Sequence, residues 1–190
     1  MTNIADKVQD FLVYLKYEKQ YSSATLKNYS LDLIKFITYL KVINIEMVSQ
    51  ITSDHIQNYI NKLNRSGLIA TSLARKTSSI RSFFNYMIRK KMIKINPSKK
   101  IIVPKKLQKL PYILSIEQVD LLCSIPSSSF ASIRDKAMIE LMYSSGLRLS
   151  EITSLNADSV SPKDRMLSVI GKGGKQRYLP MGMKAIQALN

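Results

Sequence analysis

RDKAMIELMYSSGLRLSE, residues 134–151, decides how this chain of 190 residues is built. Ile133, Ala137, Met138, Leu141 and Met142 spread apolar side chains around most of a helix, so the helix is expected in the interior of a domain. Gly146 supplies the left-handed stop, and residues 150–155 read as a short second helix. Arg148 falls in the joint between the two, flanked by Leu147 and Leu149. A guanidinium held there by rigid elements can give two hydrogen bonds to a phosphate and stays charged at any working pH. Glu151 either orients Arg148 or is an ordinary helix residue.

Downstream, residues 166–170 and 178–181 alternate as strands around GKGGKQR, residues 171–177. That glycine turn lacks the GxxxxGK[ST] spacing of a P-loop and no helix follows it, so it reads as the tip of a β-hairpin. Glycines there permit positive φ and close approach of backbone to a ligand, with Lys172 within reach of a groove.

Upstream, Ser115 and Gln118 have capping-box spacing before Val119, Leu121 and Leu122, and Pro126 stops that helix. Residues 98–111, SKKIIVPKKLQKLP, show little periodicity and read as an extended basic connector, with the whole linker assigned to residues 93–112. Before it lie four amphipathic patterns. Val8, Phe11, Leu12 and Leu15 mark the first, and Tyr29, Leu33, Phe36, Ile37 and Leu40 the second. Ser53 and Asp54 offer cap oxygens to a third helix that closes at Ser66 and Gly67. The fourth begins near Ser72, carries Ile80, Phe83, Phe84, Met87 and Ile88, and is halted by Asn96-Pro97. Four short apolar stripes must bury one another, which makes residues 1–92 a small helical bundle. Residues 113–190 form a separate, mixed α+β unit.

The net charge of +16 is concentrated. Between His55 and Ile116 there is no acid, while fourteen lysines and arginines fall there. A one-sign field of this kind attracts a polyanion, and a nucleic acid fits because each cation placed on a phosphate releases condensed counterions. Cys123 is alone, which excludes a disulfide framework and fits a reducing cytoplasm. The single histidine, His55, makes no metal site. No apolar run approaches spanning length, and the N-terminus is not a signal peptide, so no membrane partner is expected.

The run RDxAMxxxLxxSGLRxSE, the glycine turn after it, and the stretches SSATLKNYSLDLIKFITYL and SLARKTSSIRSFFNYMIRKKMIKINPSKKI resemble the tyrosine recombinases, most closely their Xer-type members. The resemblance covers essentially the whole chain. It implies a mainly α fold: a four-helix SAM-like DNA-clamping domain, then the first part of an α+β catalytic domain with helices and a β-hairpin.

By the same resemblance Arg148 and Lys172 are catalytic. Arg148 would hold the non-bridging oxygens of a scissile phosphate, and Lys172 would protonate the departing 5′ oxygen while a tyrosine forms a 3′-phosphotyrosine link; the alternative for Lys172 is a solvated turn lysine. Ser72, Arg75, Lys76 and Arg81 become phosphate and groove contacts, with Lys175 and Arg177 holding the backbone. The family's His-x-x-Arg and nucleophilic tyrosine match nothing in the 190 residues, so the chain is expected to be a C-terminally shortened form. Its expected partner is double-stranded DNA, and no metal or other cofactor is called for. Intact members pair with a second recombinase and form a tetramer on two sites. A DNA-binding module without chemistry and one half of a split enzyme remain as alternatives.

Overall fold

The computed structural model describes residues 3–104, 112–124, 126, 128–171 and 174–189. It divides into two compact units, Met1–Lys109 and Leu110–Asn190.

The first unit is helical: α1 (Ile4–Tyr17), α2 (Ser23–Val42), a 3₁₀ turn at Val48–Gln50, α3 (Ser53–Arg65) and α4 (Ala70–Arg89). Side-chain oxygens open three of the helices. Asn3 Oδ1 accepts from the Ala5 N–H at 2.8 Å and Ser22 Oγ from Thr25 at 3.3 Å, each satisfying a donor that has no partner inside its helix. The cap of α3 is Thr52, one residue before the expected Ser53 and Asp54: its hydroxyl accepts from His55 N–H while His55 Nδ1 accepts from Thr52 N–H at 3.2 Å. Ser53 is released from capping and donates to the Pro97 carbonyl at 2.8 Å.

Phe11, Phe36, Phe83 and Phe84 are almost entirely buried at the centre of this unit. Phe83 meets Phe11 edge-on at 5.7 Å and Phe84 at 5.3 Å, the offset geometry that ring quadrupoles favour. Leu33, Leu40, Ile56, Ile60, Leu73 and Ile80 fill the space around them.

Helix α4 stops earlier than expected, at Arg89, well before Asn96-Pro97. Asn96 instead pins the chain beyond the helix. Its amide donates to Asn85 Oδ1 at 2.7 Å, and its Oδ1 accepts from the Ser98 N–H and hydroxyl. Ile101, 8% exposed, joins the first core, and the Gln57 amide brackets Ile102, accepting from its N–H at 3.0 Å and donating to its carbonyl at 3.2 Å. The segment read as an extended basic linker from residue 93 therefore belongs, through Val103, to the first unit, because its apolar and backbone groups find partners on α3 and α4. Residues 105–111 of that linker lie outside the described residues.

The second unit holds α5 (Ile116–Cys123), α6 (Phe130–Ser145), α7 (Leu149–Ile152), a 3₁₀ turn at Ala157–Ser159, strands β1 (Val160–Ser161), β2 (Met166–Ile170) and β3 (Gln176–Pro180), and α8 (Met183–Leu189). The strands form one antiparallel sheet in the order β1-β2-β3. Ser115 and Gln118 make the expected capping box before α5. The core is small: Leu141, Leu147, Ile152, Leu167, Val169, Met181 and Ala185.

Helix α6 corrects the expectation of a buried helix. Among its described residues only Glu140 and Leu141 are buried, while Phe130 is 82% exposed and Ile133 and Tyr143 also face outward. Its apolar residues are spread around the axis, whereas α5, α7, β3 and α8 reach only part of that circumference.

The fold class is thus mainly α with a small three-stranded antiparallel sheet. Among the described residues no helix is long and apolar enough to cross a membrane.

Candidate functional site

Two clusters of charge, one in each unit, gather residues singled out from the sequence. The first is built around Glu151. Helix α6 ends at Gly146, whose φ of 62° reverses the chain, and the buried Leu147 anchors the joint that leads into α7. Arg148 is then held extended as the N-cap of α7, φ −79° and ψ 153°, and Glu151 lies one turn on. Glu151 Oε2 accepts from the Arg148 backbone N–H at 2.9 Å and Oε1 from Arg148 Nη1 at 2.9 Å.

Arg177 completes the cluster from the sheet. It sits on β3 opposite Val169 of β2, and its fork closes on the same carboxylate, Nη1 to Oε1 at 2.8 Å and Nη2 to Oε2 at 3.0 Å. Gly171 makes room for it: a Cβ at that position would lie 2.8 Å from Arg177 Nη1. Four N–H donors on one carboxylate, led by Arg177 and then the Arg148 backbone, hold Glu151 down to about 2. Glu151 is therefore the residue that orients Arg148, settling the ambiguity in the sequence.

The Arg148 side chain is 66% exposed and spends one Nη on Glu151, so the rest of its fork is available to an incoming anion. Two guanidiniums on one carboxylate leave a net positive charge at the surface. Arg177 is half-buried with its fork committed to Glu151, so it acts on Arg148 through that carboxylate. Tyr178 follows it on the strand and projects from the opposite face of the sheet, paired with Ser168. Lys172 lies outside the described residues. Lys175 is exposed beside the turn, where its carbonyl accepts from the Gly171 N–H at 2.8 Å and Gly174 takes φ +74°.

The second cluster lies on α2 and α4. Asp32 is 1% exposed, and its Oδ1 accepts from Lys76 Nζ at 2.8 Å while its Oδ2 accepts from Arg75 Nη1 and, at 3.4 Å, from the Ser79 hydroxyl. Lys76, read from the sequence as a DNA contact, is thus inside the unit and spent on Asp32; an ammonium at that depth needs a fixed counter-charge. Arg75 keeps 43% of its side chain exposed, Ser72 is half-buried on the first turn of α4, and Arg81 is exposed. Nearby, Tyr59 is buried with no partner for its hydroxyl among the described residues, and burial, assisted by the Asp32 charge, pushes it up to about 12.

Asp32 was missed from the sequence, although a signal was there. Asp32 stands three residues after Tyr29 and four before Phe36, on the apolar stripe of α2, and Lys76 stands between Leu73 and Ile80 on that of α4. An acid and a base on facing stripes are placed to meet.

Residues 8–91 match the family described as "Phage integrase, N-terminal SAM-like domain", and residues 113–190 match "Phage integrase family". The chain belongs to the phage integrase family. This phage integrase family member is 40% identical over 182 residues to tyrosine recombinase XerC of Histophilus somni, covering 96% of this chain and 62% of that protein. It is 35% identical to tyrosine recombinase XerC of Proteus mirabilis, with 96% and 59% covered. The chain therefore spans roughly three-fifths of the length of these relatives. Among solved structures it resembles in fold a lambda integrase(75-356) dimer bound to a COC' core site, with TM-score 0.74, 19% identity, and 99% of this chain and 68% of that one covered. A second is the Tn1549 transposon integrase in complex with transposon right end DNA, with TM-score 0.72, 15% identity, and 96% and 63% covered.

Proposed function

We propose that these 190 residues supply the DNA-clamping part and the first portion of the catalytic part of a Xer-type tyrosine recombinase. The observation that carries this reading is Arg148 held at the mouth of α7 by Glu151, with the open side of its fork outward, in a chain 35–40% identical to XerC proteins. Arg148 grips the non-bridging oxygens of the scissile phosphate, and Lys172 delivers the proton to the leaving 5′ oxygen. The cations of residues 56–115 other than Lys76 hold the duplex, with Arg75 and Arg81 on α4, and Lys175 on the hairpin, as exposed contacts. Arg177 serves the site by fixing Glu151.

The full reaction is site-specific recombination through a 3′-phosphotyrosine intermediate, of the kind that resolves chromosome dimers, in the cytoplasm, without metal or nucleotide. It is carried out with a second recombinase as a tetramer on two sites; the lambda integrase tetramer bound to a Holliday junction, similar in fold at TM-score 0.74, supports that assembly. The sole histidine, His55, closes the capping box of α3 in the first unit and is followed at the third position by Asn58, so it does not make the family's His-x-x-Arg. The 190-residue chain is accordingly expected to bind duplex DNA without cutting it.

A nicked suicide duplex tests both halves. Binding followed by fluorescence anisotropy should weaken steeply and log-linearly with salt, and no covalent protein–DNA adduct should survive denaturing electrophoresis. Salt-insensitive or absent binding sinks the DNA reading, and an adduct with the wild-type chain sinks the claim that these residues alone lack the nucleophile.

A further inference from the structure

We propose that Asp32 and Lys76 together form a positioning device for Arg75, fixing its guanidinium at the surface of α4 while leaving its positive charge intact for a DNA phosphate. The inference rests on the DNA-binding reading above and deepens it by naming what prepares the contact.

An arginine on an exposed helix turn is flexible, and ordering it on a phosphate costs side-chain entropy. A carboxylate can remove that cost in advance by holding one Nη. A carboxylate alone, however, cancels the charge it positions and makes the spot useless to a polyanion. The structure shows how this is avoided. Asp32 offers two oxygens: Oδ1 is occupied by Lys76 Nζ at 2.8 Å, and Oδ2 holds Arg75 Nη1 and the Ser79 hydroxyl. The Lys76 side chain is 7% exposed and Asp32 1%, so their charges neutralise each other out of water. Arg75, 43% exposed, is the member of the cluster that faces solvent, and the net +1 of the three groups is presented there. Among the described residues Asp32 is also the buried carboxylate of the first unit, inserted from α2 against the acid-free stretch that contains α4.

The alternative is a plain tie between α2 and α4, and changes in charge and in position separate the two. The double variant D32N/K76M keeps the formal charge at +16, since one acid and one base are lost together, and leaves no unpaired ammonium inside. With the full 190-residue chain and a short duplex, D32N/K76M should retain a cooperative thermal transition and bind about tenfold more weakly, with the salt slope unchanged, because Arg75 is still charged but no longer held. K76M alone should lower the magnitude of the salt slope by about one, because Asp32 then neutralises Arg75. If folded D32N/K76M binds within twofold of wild type, the cluster is only an interhelical tie and the proposal is overturned. Should that variant fail to melt cooperatively, D32N/K76Q decides: it keeps the formal charge and lets the two replaced side chains hydrogen-bond to each other, but leaves no carboxylate to hold Arg75. Weaker binding with an unchanged slope supports positioning, and unchanged affinity overturns it. A wild-type chain that shows no salt-dependent binding overturns the DNA reading itself, a result distinct from wild-type binding that is indifferent to these substitutions.

Discussion

Two buried carboxylates, Asp32 and Glu151, set the direction of arginines that the sequence had singled out on their own. Glu151 is the more exacting case because each of its oxygens accepts two N–H donors. Those donors depress its folded-state pKa from 4.5 to about 2, so its contribution to stability is present above pH 4.5 and is lost as the pH falls toward 2. Glu151→Gln should therefore lower the melting temperature at pH 7, and the gap to wild type should close as the pH is taken from about 5 to 2. A gap that stays constant over that range in thermal melts would show that the carboxylate's charge is not what holds Arg148 and Arg177.

At the scale of elements, the joint between α6 and α7 is where backbone conformation and chemistry meet. Gly146 takes φ 62° with open space around its missing Cβ, so alanine there would meet a purely conformational penalty. Gly146→Ala should destabilise the second unit by about 1 kcal/mol in urea unfolding, without a packing defect. A cost of about 3 kcal/mol or more would instead reveal a steric role. This stop was legible in advance, as were the helical stripes of α1 to α4 apart from the exposed Ile88, the Ser115–Gln118 box and strand β2, because each is written in local spacing; β3 instead begins at Gln176, so that Gln176 and Arg177, expected in the turn, lie on the strand. The Thr52 cap, the early end of α4 at Arg89 and the short α8 were not, since several neighbouring residues could have served each boundary equally well.

Across the whole molecule the two units differ in how much apolar surface they enclose. The first packs four phenylalanines and a full shell of aliphatic side chains, whereas the second buries a short set around Leu167 and leaves Phe130, Leu121 and Ile116 largely exposed. Amide hydrogen exchange should accordingly be slower in α2 and α4 than in α5 and α6. Phe83→Ala should cost the first unit about 3–5 kcal/mol, read by denaturant unfolding followed in α4 amides. Equal protection in the two units would mean that the thin core of the second is compensated by something other than apolar burial.

The sequence by itself determined helices α1 to α7 in outline, the long hairpin, the basic character of residues 56–115, the family, and Arg148 as the arginine at the joint, because periodicity, caps and charge runs are local properties of a chain. Only tertiary structure decided that Lys76 points inward to Asp32, that Arg177 closes on Glu151, that Ile101 belongs to the first core, and that α6 is exposed along much of its length. Those outcomes depend on what lies opposite a side chain. A helical stripe states which face must be covered, and a charge states that it needs a partner, but neither names the distant residue that packing brings within hydrogen-bonding reach of it.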